Sequence, residues 1–257
     1  MSPLKSGGVK ASPKVGSPMV DIERCMSNEP DQRFKMLQII VDAIASNLST
    51  QTISPSAADA CKLIVRTLET SSRSVARRKV PSLLHCASLV ELALWTVDSH
   101  HPLSGAISGF LTMFGHELDW YRSNTGDYAS LNFESRHAHA LIMGPGGFEE
   151  QANVVIGITV MEPYTRFPDH AHTRDLLVFP LSGGEFKAGE GPWDAAGLGS
   201  MVFCKAGDIC AMRCAANPLL TLWVQTFASL GGRIRVPSFL AHLELSEEYH
   251  GPPSKFA

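Results

Sequence analysis

The feature that most constrains this chain is a change of hydrophobic period near Gly144. Before it, apolar residues recur at three- and four-residue steps; after it they alternate, and Gly and Pro punctuate every few residues. A helix and a strand bury their faces at those two periods, so the chain is read as helices followed by strands, an α+β protein. Four helices are expected. The first starts at Asp31 with Asp31 as its cap and carries Phe34, Leu37, Ile40, Val41, Ile44 and Leu48; the second runs over 55–70 behind Ser54-Pro55 with Ala58, Cys61, Leu63, Ile64, Val65 and Leu68. The third spans 81–99 and is apolar on most faces, and the fourth runs from Pro102 to about 122. Strands are expected at 153–161, 175–181, 184–187, 200–204, 209–214, 219–227 and 233–239, spaced as in a barrel or sandwich.

The flanks differ from this middle. Residues 1–30 are rich in Ser, Pro, Gly and Lys with no acid before Asp21, which suits a disordered tail. An organellar leader is the alternative, opposed by the absence of Arg before Arg24. The run SSRSVARRK at 71–79 reads as a solvated connection. The resulting division is a tail at 1–30, a helical region at 31–125, a barrel at 126–246 and a C-terminal tail at 247–257.

Charge narrows the partner. Twenty-two Lys and Arg against 25 Asp and Glu leave a net charge of -3, with no basic field for nucleic acid or an anionic membrane. No stretch approaches the roughly 20 apolar residues of a membrane span. The six cysteines form no CxxC pair, so reduced thiols, a cytoplasmic location and a small-molecule ligand are expected.

Within the β half, His170-Ala171-His172 is followed by Leu176 and Gly183, and Gly199 by Lys205-Ala206-Gly207, Cys210 and Cys214. These keep the spacing of the cupin double motif, G-x5-H-x-H-x(3,4)-E-x6-G and G-x5-P-x-G-x2-H-x3-N. Leu176 takes the Glu position and Cys210 the place of the last His. Two imidazoles and a thiolate remain as metal ligands: His170, His172 and Cys210, a set that suits zinc with water in the open position. Asp175 is one place short of the carboxylate and of the wrong parity. Cys214 shares the parity of Cys210, while Cys204 lies across a turn. The other HxH pair, His137 and His139, lacks downstream partners and reads as surface loop; His85 and His116 read as packed or surface side chains.

Longer segments carry a narrower resemblance. GHELDWYR, RHAHALIMGPGGF, EPYTRFPDHAHTRDLLVFPLSGGEF, GPW at 191–193 and MRCAANPLLTLWVQT resemble, in order and spacing, the cupin-type dimethylsulfoniopropionate (DMSP) lyases. That resemblance implies an N-terminal helical region packed on a single C-terminal cupin (double-stranded β-helix) barrel. It also implies a divalent metal ion, zinc first and manganese or iron next, and β-elimination of DMSP to dimethyl sulfide and acrylate with a tyrosinate base. His170 and His172 match the family histidines and Trp223 a pocket aromatic, whereas the family tyrosines fall on Phe167 and Val178. Tyr164 is the nearest remaining phenol and the candidate base, with Trp193 and Trp223 as substrate-binding aromatics. The alternative function is a catalytically inactive cupin serving as a small-molecule binding or regulatory module, favoured by the apolar Leu176, Val178 and Phe167. A homodimer is the expected assembly, if any.

Overall fold

A computed structural model describes residues 29–51, 53–70 and 84–226. The expectations for residues 1–28, the basic run at 71–79, a strand at 233–239 and the tail at 247–257 lie outside them. Helix α1 (Glu29–Ser49) buries Leu37, Ile40, Val41, Ile44 and Leu48 as their spacing requires. It begins before Asp31, which therefore lies inside the helix. Helix α2 (Pro55–Thr70) starts as its sequence indicates: Ser54 Oγ accepts the Ala57 N–H at 3.3 Å and Pro55 opens the first turn. Its buried stripe is Ala57, Ala60, Cys61, Ile64 and Leu68, one step away from the expected Ala58 and Leu63, and Leu63 is exposed.

Helix α3 (Leu84–Leu94) is shorter than its apolar run and buries one face only, through Cys86, Leu89, Val90 and Ala93, leaving Trp95 beyond its end 88% exposed. Helix α4 (Pro102–Phe114) also stops early. A 3-10 turn at Gly115–Glu117 follows, and the buried Trp120 donates its indole N–H to the Gly115 carbonyl at 2.8 Å, satisfying a group the ended helix leaves open. Among the described residues no helix is long and apolar enough to cross a membrane.

Among the described residues nine strands follow: β1 (His137–Met143), β2 (Val154–Met161), β3 (His170–Ala171), β4 (Leu176–Pro180), β5 (Gly184–Ala188), β6 (Asp194–Ala196), β7 (Val202–Cys204), β8 (Ile209–Arg213) and β9 (Leu219–Thr226). They form a five-stranded sheet, β1-β2-β9-β4-β7, facing a four-stranded sheet, β3-β8-β5-β6. This is the cupin barrel in opposed-sheet form, the two sheets not joined by a continuous ladder. β1, β3 and β6 have no counterpart among the expected strands. β1 contains HAHA, which hides a strand buried on both faces.

The period of two assigns the faces. On β2 and β9, Ile156, Ile158, Val160, Leu220, Leu222 and Val224 join the helices in one core, while Val155, Met161, Leu219 and Trp223 join a second core between the sheets. Gly157 lies opposite Trp223, and a Cβ there would fall 2.0 Å from the indole. The glycine lets the indole lie flat against the strand.

Candidate functional site

Between the sheets lies a cavity of about 50 Å³, and the second core forms its walls. β3 pairs with β8 so that His170 stands opposite Cys210, and β4 pairs with β7 so that Leu176 stands opposite Cys204. All four side chains line the cavity, together with His172, Val178 and Trp223. His170, His172 and Cys210 are therefore brought to one wall, as their spacing implies.

The turn between β7 and β8 holds this wall in place. Gly207, at φ +86°, donates its N–H to the His172 carbonyl at 2.8 Å, a backbone conformation that glycine adopts at little cost. Asp175 Oδ1 accepts the Ala206 N–H at 2.9 Å, which is the work of this carboxylate in place of ligation. His170 Nδ1 lies 2.9 Å from the Pro168 carbonyl, so Nδ1 carries the proton and Nε2 the lone pair. The His170 and His172 rings meet edge to face at 4.6 Å. Burial lowers the pKa of both, that of His172 to about 3 with a further push from His170, so both are neutral imidazoles at pH 7.

The thiols form a second group. Cys204, set aside in the sequence as lying across a turn, lines the cavity with Cys210, and burial beside that second thiol raises its pKa. Cys210 Sγ also approaches the Asp208 carbonyl at 3.8 Å. Cys214 does not line the cavity; its thiol points to the carbonyls of Glu162 at 3.0 Å and Thr165 at 3.6 Å. The signal for Cys204 is its parity with Val202 on a strand facing β4, which only the strand pairing makes legible.

Donor chemistry and donor position give different answers for a divalent metal. Neutral imidazoles and a thiol suit zinc, and a histidine whose other N–H is held by a carbonyl is set as a ligand. Among the described residues, however, no three His, Cys, Asp or Glu side chains are arranged to hold a metal ion. Nor, among the described residues, does a carboxylate line the cavity. The three-ligand centre expected from spacing does not fit this wall as the side chains stand.

Two of the expected substrate and catalytic residues lie elsewhere. Tyr164 sits in a turn at φ 59°, is 71% exposed and donates its N–H to Ala215; it does not line the cavity. The parity argument fails for it because the turn between β2 and β3 interrupts the alternation. Trp193 stands outside the cavity, stacked on the Arg213 guanidinium at 4.3 Å and on Arg166 at 5.4 Å. Trp223 does line the cavity and donates its indole N–H to Thr159 Oγ1 at 3.1 Å.

His137 and His139 are a further correction. They belong to β1, 0% and 3% exposed, and not to a surface loop. His139 lines the cavity, with Nδ1 2.8 Å from Thr159 Oγ1 and Nε2 2.8 Å from Ser123 Oγ. His137 Nδ1 bonds the Phe133 carbonyl, and its Nε2 accepts the Ser123 N–H at 2.9 Å. Burial lowers the His137 pKa to about 4. A buried polar chain thus runs from His137 through Ser123, His139 and Thr159 to Trp223. Tyr121 packs on the His139 ring at 5.3 Å, and burial, reinforced by Asp119, raises its phenol pKa. Among the described residues no tyrosine lines the cavity.

Known proteins place this geometry in context. No curated protein matches the chain in sequence. A crystal structure of the DMSP lyases RdDddP and RnDddQII is similar at a TM-score of 0.57 and 18% identity, over 79% of this chain and 98% of that one. DMSP lyase DddQ from Ruegeria pomeroyi DSS-3 is similar at a TM-score of 0.53 and 20% identity, over 76% of this chain and 95% of that one. These two likenesses bear on the fold. A family model for dimethylsulfoniopropionate lyase matches residues 56–221, more than half of the sequence and all of the cavity wall but Trp223, and the chain belongs to that family.

Proposed function

We propose that this lyase-family cupin binds a compact, uncharged small molecule in its cavity and does not carry out β-elimination. The observation that carries this reading is the cavity wall: among the described residues it includes neither a carboxylate nor a phenol. DMSP is a zwitterion. Its sulfonium has no carboxylate to meet here, and its α-proton has no tyrosinate to take it. Loss of a general base costs roughly 10²–10⁴-fold in rate. Size points the same way. With a volume of about 50 Å³, the cavity takes roughly four water-sized groups, which is small for a five-carbon sulfonium carboxylate.

A second reading is β-elimination of DMSP at a divalent ion, zinc first, on His170, His172 and Cys210. The orientation of His170, with Nδ1–H on the Pro168 carbonyl and Nε2 left to coordinate, favours it. Headspace dimethyl sulfide from purified protein, given DMSP with added zinc, manganese or iron, separates the two. The expected rate is no higher than that of a His170→Ala control, and a clearly higher rate would overturn the binding reading. The triple variant Leu176→Glu, Val178→Tyr, Cys210→His is expected to gain activity, because it restores a ligand and a phenol at positions facing the cavity.

A further inference from the structure

One hydroxyl of the cavity wall is unpartnered. On β9 the period of two turns Leu219 and Trp223 to the second core between the sheets and Leu220 and Leu222 to the helices, so Thr221 faces the cavity that it lines. Its side chain is 1% exposed, and among the described residues its Oγ1 makes no hydrogen bond. A buried hydroxyl in that state is costly, and native folds give nearly all such groups a partner. The neighbouring strands supply none. On β2, Thr159 stands directly opposite, but its Oγ1 is occupied by His139 Nδ1 at 2.8 Å and by the Trp223 indole N–H at 3.1 Å. On β4 the opposite residue is Pro180, which has no polar side chain. Thr221 is left to offer its hydroxyl to whatever enters the cavity.

We propose that Thr221 is the specificity-determining residue of this cavity and that the ligand it anchors is a short-chain alcohol. The volume of about 50 Å³ admits roughly four non-hydrogen atoms. Leu176, Val178, Phe186 and Trp223 supply an apolar wall for the hydrocarbon part. An alcohol oxygen accepts the Thr221 proton and keeps one of its own to donate, and the other open group on the wall, His170 Nε2, is an acceptor. A ketone or thioether has no proton to give, and an amine or carboxylate of this size is charged at neutral pH. Lys187 also borders the cavity, but Phe186 and Ala188 on either side of it pack into the second core, so alternation carries its ammonium to the other face of β5. This inference rests on the reading of the cavity as a site for an uncharged ligand and adds the chemical class of that ligand.

The test is titration of the full-length protein with 1-propanol, followed by backbone NMR shifts, beside two probes of the same size: ethyl methyl sulfide, which lacks the hydroxyl, and acetate, which is charged. A ligand this small binds no tighter than roughly 40 µM, so saturation by 1-propanol in the millimolar range is expected, with the sulfide about tenfold weaker and acetate unbound. Thr221→Val keeps the shape of the side chain and removes its hydroxyl; it should weaken 1-propanol about tenfold and erase the preference over the sulfide. Thr221→Ser should keep that preference, and Thr112→Val, exposed on α4, should leave it unchanged. Without ligand, Thr221→Val should raise Tm by about 3 °C, because it removes a buried unpaired group, whereas loss of a structural hydrogen bond would lower it. If circular dichroism shows that Thr221→Val does not fold, Thr221→Ala replaces it in the titration. Equal binding of 1-propanol and the sulfide, an alcohol affinity untouched by Thr221→Val, a lowered Tm in that variant, or no binding of 1-propanol overturns the inference. Equal binding removes the role of Thr221 and leaves the proposed function standing; that function falls on a separate result, release of dimethyl sulfide from DMSP.

Discussion

The chain contains two His-Ala-His sequences, at 137–139 and 170–172, with the same spacing and opposite uses. The first lies in the middle of a hydrogen-bonded network. All four of its ring nitrogens meet named partners, Phe133, Ser123 twice and Thr159, and the His137 ring stacks on Phe133 at 3.8 Å. The second forms one wall of a cavity, with His170 anchored by one nitrogen to Pro168 and the rings in contact with each other. An HxH pair is therefore a statement about strand parity only. Whether it ligates or merely bridges depends on what the neighbouring strands bring to the ring nitrogens.

The sharpest way to break this comparison is to remove one member of each pair. His137→Ala strands the Phe133 carbonyl and the Ser123 N–H and loses the stacked ring, and is expected to cost about 3 kcal/mol in urea unfolding. His170→Ala removes one hydrogen bond and should cost about 1 kcal/mol. Equal costs would mean that both pairs are structural.

Acid titration sharpens it. Burial lowers His137 to about 4 and His172 to about 3, below the ordinary value of 6.5. A histidine kept neutral by the fold stabilises fully above its unfolded pKa. Below that, the unfolded chain takes up the proton first, so stability falls with pH from about 6.5 towards the folded value. Each of the two should cost about 2 kcal/mol between pH 6.5 and pH 5, and His137→Gln or His172→Gln should each flatten that slope by its share. An unchanged slope in either variant would show that its ring is protonated in the fold.

The smallest effect concerns the displaced phenol. Tyr164→Gly relieves a positive φ at an exposed turn and is expected to stabilise by about 0.5 kcal/mol, with ligand binding in the cavity unchanged. A loss of binding in that variant would return Tyr164 to the site.

Much of the fold was legible because periodicity is local. The stripes of α1, the Ser54-Pro55 start of α2 and the inward parity of His170, His172, Leu176 and Val178 all follow from spacing along one segment. The errors lie where a segment's surroundings override its pattern. β1 is buried on both faces, so its alternation is masked by alanine and histidine. α4 ends at Phe114 because Trp120 takes the next carbonyl, and Tyr164 leaves the barrel face because a turn resets the phase.

The amino-acid sequence by itself determined the α+β order, the cupin spacing, the family and the loss of its carboxylate and tyrosines at Leu176, Phe167 and Val178. Those are properties of neighbours in the chain. The tertiary structure alone decided that Cys204 and His139 share the cavity with Cys210 and His170, and that Trp193 stacks on arginines outside it. Each of these contacts joins strands or loops whose pairing is set by burying two sheets against each other, and a side chain's use follows from that pairing.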